Sequence, residues 1–243
     1  MNPLEGIGLL YHEKEFESRY NFLGTCFAFR HPTYLLTASH CIGKLSANDC
    51  FVLFLRFSKT IAKLIFGGKA LSIQKHPNAD IALLRMQEED MNGVQPFWDC
   101  VGNYALGEDF TTYGFPEDIS FPKISSASQP TPRLFRGYFQ RFFDHHSHLG
   151  YRYIAGELNI PCPAGLSGSP LFRLGAPSML TGMVTENIES TKILDSVEEI
   201  QEDGEKYKHI YQKIITYGIC LMLHDVRDWL DKNIPKRQHK AIQ

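Results

Sequence analysis

The sequence lacks the segments that carry proteins into or across membranes. No stretch approaches the roughly 18 consecutive apolar residues that a membrane-spanning helix needs. The first residues, Met1-Asn2-Pro3-Leu4-Glu5-Gly6, also lack the basic and apolar regions of a secretory signal peptide. We therefore expect a cytoplasmic protein with no membrane partner.

The chain also lacks an excess of charge of either sign. Its 25 Lys and Arg residues nearly balance 27 Asp and Glu residues, for a formal net charge of −2. Such a chain has no overall electric field that would hold a polyanion, so we expect no nucleic-acid partner. The basic stretch at 236–240 is interpreted as a solvated tail.

Closely spaced cysteine pairs are absent as well. The six cysteines stand at positions 26, 41, 50, 100, 162 and 220, and none forms the CxxC pattern of a structural zinc site. The six could form three disulfides. Without an export signal, however, the reducing conditions of the cytoplasm favour free thiols.

One histidine-rich segment raises the question of a metal site. Residues 144–148 read Asp-His-His-Ser-His. Adjacent histidines on a polar loop seldom converge on one ion without a rigid scaffold. We therefore interpret this segment as a solvated loop between two strands and expect no metal.

Short strands dominate the pattern of apolar residues. About a dozen short runs rich in β-branched and aromatic residues recur between turn residues, which predicts an all-β sandwich or barrel. The strand pattern relaxes into polar and turn residues around 88–104. We therefore expect an N-terminal lobe with its linker over 1–104 and a C-terminal lobe over 105–243.

Helical spacing is confined to two segments. Near the end, Val226, Trp229 and Leu230 stand at i, i+3 and i+4, which predicts an amphipathic helix over 224–234 that docks on the body. Residues 195–214 form a charged insertion in which spaced apolar residues indicate a second helix. That amphipathic spacing makes the insertion a candidate for contact with a partner.

Three motifs carry the chemistry. Residues 35–41 read Leu-Leu-Thr-Ala-Ser-His-Cys, residues 80–84 read Asp-Ile-Ala-Leu-Leu, and residues 165–170 read Gly-Leu-Ser-Gly-Ser-Pro. Each is weak alone, since glycine-serine turns are common in any loop. In this order and at these separations, they resemble Thr-Ala-Ala-His-Cys, Asp-Ile-Ala-Leu and Gly-x-Ser-Gly-Gly/Ser-Pro of the chymotrypsin/trypsin-like serine peptidases.

The resemblance implies a catalytic triad of His40, Asp80 and Ser167. A serine hydroxyl is a weak nucleophile until an imidazole takes its proton, and a carboxylate holds that imidazole in the correct tautomer. The backbone amides of Gly165 and Ser167 would bind the oxyanion. The implied activity is that of a serine endopeptidase, which acts on a protein or peptide through an acyl-enzyme and needs no metal or organic cofactor.

The family's fold is two six-stranded antiparallel β-barrels followed by a C-terminal α-helix. His40 and Asp80 would lie in the first barrel and Ser167 in the second, with the active site in the cleft between them. Leu166 stands where secreted animal members have the aspartate that pairs with a newly cut N-terminus. The resemblance is therefore closer to bacterial members of the HtrA and glutamyl-endopeptidase type.

The resemblance also implies a pocket for the P1 side chain, which precedes the bond that is cut. Its walls would be formed by Pro161, Cys162, Thr185, Asn187 and Gly218. These are mostly small or apolar, which favours a small or hydrophobic P1 residue. Pro161 stands at the position of trypsin's aspartate, so no preference for Arg or Lys follows, and Thr185 stands where a serine commonly supports the triad aspartate.

Two other interpretations remain open. The three triad residues can be present without being assembled, so the chain could be a pseudo-peptidase that binds an extended peptide without cutting it. It could also be a latent peptidase of a bacterial stress or defence pathway, activated when a regulatory protein partner orders the loop at Gly165. Because an uncontrolled cytosolic peptidase would be toxic, we expect either gating or narrow specificity.

Overall fold

Strands make up most of the protein. A computed structural model describes residues 3–14, 19–57, 62–99, 104–117, 131–175, 179–200 and 206–235. The strands form two seven-stranded sheets, and a helix follows the second sheet near the C-terminus. The all-β fold with two barrel-like sheets and a C-terminal helix, predicted above, is confirmed. The boundary between lobes at residue 104 stays a prediction.

The first sheet is antiparallel throughout. Its strands are β1 (Ile7–Lys14), β2 (Arg19–Phe29), β3 (His31–Thr37), β4 (Cys50–Phe57), β5 (Ala62–Lys69), β6 (Ser72–Lys75) and β7 (Ala82–Arg85). They lie in the order β5-β4-β1-β2-β3-β7-β6. The sheet thus has seven strands where the resemblance implied six. The central strands β2 and β3 place their ends beside the candidate site.

The second sheet closes on itself. Its strands are β8 (Trp98–Asp99), β9 (Asp109–Gly114), β10 (Arg133–His146), β11 (Arg152–Leu158), β12 (Pro170–Arg173), β13 (Met179–Ile200) and β14 (Lys206–Met222). They lie in the order β12-β9-β10-β11-β14-β13-β8, and β12 also pairs with β13. The six strands from β9 to β14 therefore form a closed barrel, and the two-residue strand β8 joins β13 in parallel.

Helices are short in this protein. The α-helices are α1 (Ser39–Ile42) and α2 (Arg227–Asn233), and 3-10 turns span Pro3–Gly6, Ala47–Asp49 and Glu89–Met91. Helix α2 lies within the predicted 224–234. Val226 and Leu230 are buried in the core, as the amphipathic spacing predicted.

The helix predicted at 195–214 is wrong. Strands β13 and β14 run through this segment and pair from Gly182 with Met222 to Ile200 with Lys206, so it is part of a long two-stranded ribbon. β-Branched residues favour strands, and the pairing that decides between helix and strand is made with residues distant in sequence. Residues 201–205, like the basic stretch at 236–240, lie outside the described residues.

Several apolar side chains at the outer part of this ribbon face solvent. Six of them are each more than 45% exposed: Ile193, Leu194, Val197, Ile210, Tyr211 and Ile214. Their spacing resembles one face of a helix, although each lies on one of two paired strands. The periodicity therefore reflects a solvent-exposed ribbon rather than a helix docked on the body.

Aromatic residues join the two sheets into one core. The ring centroids of Phe27 and Phe97 lie 6.3 Å apart, and those of Phe97 and Phe172 lie 4.8 Å apart, both in edge-on packing. Phe97 belongs to the segment between the sheets, and its amide donates to Ala28 O at 2.9 Å. The connecting segment is thus fixed against β2, and the two halves are held together beside it.

An ion pair ties helix α2 to the first sheet. Arg30 lies at the turn between β2 and β3, and its Nη1 is 2.7 Å from Oδ1 of Asp231. The two side chains are 5% and 24% exposed. Because the guanidinium is buried, the carboxylate compensates a charge that water does not reach.

We expect Asp231→Ala to lower the free energy of unfolding by about 3 kcal/mol, because it leaves the buried Arg30 charge without this carboxylate. Urea unfolding followed by circular dichroism measures the change. Asp228→Ala removes an exposed carboxylate from the same helix and should shift the free energy by less than about 0.5 kcal/mol. Equal losses in the two variants would contradict this role for the ion pair.

Candidate active site

His40 and Asp80 lie together at adjacent strand ends of the first sheet. His40 is in α1, directly after β3, and Asp80 precedes β7, which pairs with β3. His40 Nδ1 is 2.6 Å from Asp80 Oδ2, and the His40 amide donates to Asp80 Oδ1 at 2.9 Å. The carboxylate, 2% exposed, thereby assigns the proton to Nδ1 and leaves Nε2 as the basic nitrogen.

The surroundings of His40 favour its protonated form. Burial lowers the pKa of His40, but the hydrogen bond and charge of Asp80 and the contact with Cys41 outweigh it, so the pKa lies above the ordinary value of 6.5. A group that must accept a proton from a hydroxyl benefits from such support of its charged form.

Ser167 lies on a tight turn before β12. Gly165 and Gly168 adopt φ angles of 90° and 86°, a left-handed region that glycine enters without strain. A Cβ at Gly165 would overlap the backbone oxygen of Phe115, and one at Gly168 would overlap that of Thr25. The two glycines therefore allow the serine turn to pack directly against neighbouring backbone.

Thr25, in β2 of the first sheet, holds the serine turn in place. Its amide donates to Ser167 O at 2.9 Å, and its hydroxyl donates to Gly165 O at 2.8 Å. The Phe115 amide in turn donates to the Thr25 hydroxyl at 3.2 Å. The sequence reasoning did not name Thr25 as a site residue, although its position in Gly24-Thr25-Cys26-Phe27, upstream of the histidine motif, is a signal that could have identified it.

Two backbone amides on the turn are available to a ligand. Within the part of the chain that the structure describes, the N–H groups of Gly165 and Ser167 donate to no protein acceptor. The carbonyls of the same two peptide groups are held, because Ala164 O accepts from the Glu117 amide at 2.6 Å and Leu166 O accepts from the Ser169 amide at 2.9 Å. Such fixed, unpaired donors meet the requirement of an oxyanion hole.

The Ser167 hydroxyl does not bond to His40 in this arrangement. It donates to the backbone oxygen of Thr185 at 2.9 Å, and no hydrogen bond joins Ser167 to His40 among the described residues. His40 Nε2 instead contacts Cys41 Sγ at 3.6 Å, and that sulfur lies 3.9 Å from Ser167 O. His40 and Asp80 are thus paired, whereas the third member of the predicted triad faces a different acceptor.

Thr185 is placed differently from the serine it was compared with. Its hydroxyl donates to Ile219 O at 3.0 Å and accepts a hydrogen bond from the Tyr153 hydroxyl at 3.0 Å. Neither partner is Asp80. Thr185 therefore contacts the candidate nucleophile through its backbone oxygen instead of supporting the carboxylate through its side chain.

The residues predicted to line the P1 pocket are brought together, and three of them touch. Asn187 hydrogen-bonds to both backbone groups of Cys162, at 2.7 Å and 2.6 Å. The Cys162 sulfur lies against Gly218. Pro161 is exposed and Thr185 is buried. Cys162, Asn187 and Gly218, three of the five predicted wall residues, are therefore in mutual contact.

The histidine-rich segment contains a largely buried contact between a histidine and a carboxylate that sequence reasoning missed. His145, at the end of β10, is 7% exposed, and its Nε2 lies 2.5 Å from Glu186 Oε1. His148 Nδ1 is 3.5 Å from Glu186 Oε2, and the Tyr153 hydroxyl is 3.4 Å from Oε1. The interpretation as a loop is thus wrong for residues 144–146, which belong to β10. It is also wrong that the segment is solvated at His145, whose carboxylate partner lies 41 residues away. No group of three or more His, Cys, Asp and Glu residues could hold a metal in the described ranges.

The same pair sets the protonation of Glu186. Burial raises the pKa of Glu186, but the hydrogen bond and charge of His145, with the charges of His148 and His40, lower it below the ordinary value of 4.5. The carboxylate is therefore ionised next to the site at neutral pH.

Five of the six cysteines are free thiols in the described residues. Cys26, Cys41, Cys50, Cys162 and Cys220 are buried and unbridged, as the sequence reasoning expected. Cys100 lies outside the described ranges.

No helix in the described part of the chain is long and apolar enough to cross a membrane.

Comparisons with known proteins give the fold a precedent. No protein-family model and no curated protein matches this sequence. Among solved structures, the Rv3671c protease of M. tuberculosis in its active form matches with a TM-score of 0.59 and 14% identity, covering 97% of this chain and 83% of that chain. The chain has the fold of this serine protease.

Two inactive forms of the same M. tuberculosis protease match as well. A serine-to-alanine mutant gives a TM-score of 0.57 at 14% identity and covers 96% of this chain and 90% of that chain. A further inactive form gives 0.57 at 15%, with coverage of 95% and 89%. At 14–15% sequence identity, this likeness establishes the fold of the chain alone.

We expect acid to destabilise the protein partly through Glu186. A carboxylate whose pKa is lowered by folding adds stability above its ordinary pKa, and this stability is lost as the pH falls through the folded-state value. The free energy of unfolding of Glu186→Gln should therefore decline less steeply than that of the wild type below about pH 4.5. Urea titrations at several pH values compare them, with Glu189→Gln, an exposed carboxylate on the same strand, as control. Parallel curves for wild type and Glu186→Gln would contradict this effect.

Proposed function

We propose that the chain is a serine endopeptidase that hydrolyses peptide bonds through an acyl-enzyme. The observation that carries this proposal is the His40–Asp80 pair, with 2.6 Å between Nδ1 and Oδ2, beside a glycine-flanked serine turn with two unpaired amides among the described residues. Ser167 is the nucleophile, His40 the base and then the acid, and Asp80 the group that orients His40.

The proposed reaction has two halves. Ser167 Oγ attacks the carbonyl carbon while His40 Nε2 takes the hydroxyl proton, and the amides of Gly165 and Ser167 bind the oxyanion. The intermediate collapses as His40 gives its proton to the leaving amine, which forms the acyl-enzyme. Water, deprotonated by His40, then releases the carboxylic acid product and restores Ser167.

The observed serine orientation supports a resting form of this enzyme. For His40 to take the proton, the Ser167 hydroxyl must first leave the Thr185 carbonyl that it contacts at 2.9 Å. We propose that a bound protein or peptide substrate, or a regulatory protein partner, brings about this change. The same observation favours the alternative of a pseudo-peptidase, in which the hydroxyl never reaches His40 and the cleft only binds a peptide.

The proposed setting is the cytoplasm of a bacterium. Five free, buried cysteines among the described residues support a reducing compartment. A closer relation to bacterial peptidases of the HtrA and glutamyl-endopeptidase type rests on the motif departures noted above, such as Leu166 before the nucleophile.

We expect a fluorophosphonate to label the purified wild-type protein, because this reagent modifies serine hydroxyls activated by a neighbouring base. Ser167→Ala and His40→Ala should both abolish labelling. Ser169→Ala, which alters the buried serine two residues later, is the control and should retain it. Intact-protein mass spectrometry measures the adduct.

The labelling outcomes separate the two candidate functions. Wild-type labelling that is lost in both variants supports the endopeptidase. A folded wild-type protein that stays unlabelled, alone and with peptide mixtures, would contradict a peptidase that substrate alone activates and leave a partner-activated peptidase or the peptide-binding pseudo-peptidase.

The labelling rate should depend on pH through His40. Neutral imidazole is the base, and the pKa of His40 is raised above 6.5, so the rate should be low in acid and reach half of its plateau above pH 6.5. Asp80→Asn should lower the plateau by about 10⁴-fold, because the imidazole loses the carboxylate that orients it. Asp228→Asn, on the exposed face of α2, is the control. A wild-type midpoint below pH 6.5 would contradict the assignment.

A further inference from the structure

The space expected to receive a P1 side chain is filled by the protein itself. The resemblance places this pocket between two stretches of backbone, one around Cys162 and one around Asn187. In the structure, the Asn187 side chain bridges these stretches: Oδ1 accepts from the Cys162 amide at 2.7 Å, and Nδ2 donates to the Cys162 carbonyl at 2.6 Å. The gap between the walls is thus one asparagine side chain wide.

The third wall leaves no space either. Gly218 pairs with Asn187 across β13 and β14, and its amide donates to Ile160 O at 2.8 Å. A Cβ at Gly218 would overlap the Cys162 sulfur and would lie 2.8 Å from Ile160 O. The Cys162 thiol therefore packs directly on the Gly218 backbone, where a deep pocket would have its base.

Cys162 is fixed from behind as well. It is 5% exposed and belongs to a buried cluster with Leu158, Leu166 and Val184. Burial raises the pKa of its thiol to about 12, so the group is neutral at physiological pH. Moving Cys162 aside would break both bonds to Asn187 and disturb this cluster. Asn187 itself is exposed, so the closure is made by a surface side chain whose two hydrogen bonds anchor it to the buried Cys162 backbone.

We propose that Asn187 determines specificity by closing the P1 pocket, so that the enzyme cuts after glycine or alanine. This inference rests on the proposed peptidase function and names its substrate class. A P1 glycine or alanine places at most one methyl group toward the walls, whereas leucine, phenylalanine or a charged residue would have to displace the Asn187 amide. Narrow P1 selection would also restrain a peptidase among many cellular proteins.

The test uses peptide phosphonates, which form a covalent adduct with an active serine. Four probes carry alanine at P2 to P4 and glycine, alanine, leucine or phenylalanine at P1. The wild type should react at least about ten-fold faster with the glycine and alanine probes. Asn187→Gly should accelerate the leucine and phenylalanine probes by at least about ten-fold. Glu189→Gly, a glycine replacement at an exposed site of the same strand, should leave the wild-type order unchanged.

The possible outcomes test the closed pocket and the proposed peptidase function separately. A wild type that reacts fastest with leucine or phenylalanine overturns the closed pocket, as does an Asn187→Gly protein with unchanged selection. Asn187→Ala serves in its place if circular dichroism shows that Asn187→Gly is unfolded. A small fluorophosphonate is tested in parallel: if it labels no protein, the peptidase function of the isolated protein is lost and the pocket inference with it, whereas labelling with reversed P1 order removes the pocket inference alone.

Discussion

The pair of hydrogen bonds from Thr25 to the serine turn is the interaction on which the rest of the site depends. Two hydrogen bonds, to Ser167 O and Gly165 O, fix a turn of the second sheet to β2 of the first. Strand β3, which leads into His40, pairs with β2, and the Thr37 hydroxyl at its end donates to Thr25 O at 2.7 Å. Through these bonds, Ser167 and His40, the proposed nucleophile and base, are positioned by one backbone framework.

How far the fold could be predicted depended on whether the deciding interactions were local. Helix α2 was predictable because Val226, Trp229 and Leu230 show its buried face within one turn. The segment 195–214 was not, because its strand character comes from pairing such as that of Ser190 with Ile215. Spaced isoleucines fit either a helical face or a paired strand. The count of six strands for the first sheet came from the family resemblance, and the structure has seven.

The features of the candidate site also differ in whether local sequence indicates them. The three motifs indicated that His40 and Asp80 act together because their residue types and order resemble the family's, and the structure joins the two side chains at 2.6 Å. The bonds of Asn187 to Cys162 and of His145 to Glu186 join residues 25 and 41 positions apart, and nothing in the local sequence indicates either. The sequence could therefore name the walls of the P1 pocket, but not that they touch. It could also name Ser167 as the candidate nucleophile, but not the Thr185 carbonyl that its hydroxyl faces.

Two features restrain the proposed enzyme, and they differ in strength. The bond from Ser167 to Thr185 O is a single neutral hydrogen bond, worth about 1 kcal/mol, so the binding of a substrate is sufficient to replace it. The closed pocket involves two bonds from Asn187 and the packing of Cys162 into a buried cluster, and a large side chain would have to overcome all of these together. The orientation of the Ser167 hydroxyl therefore restrains the proposed activity only weakly. Selection of the P1 side chain by the closed pocket restrains it more strongly.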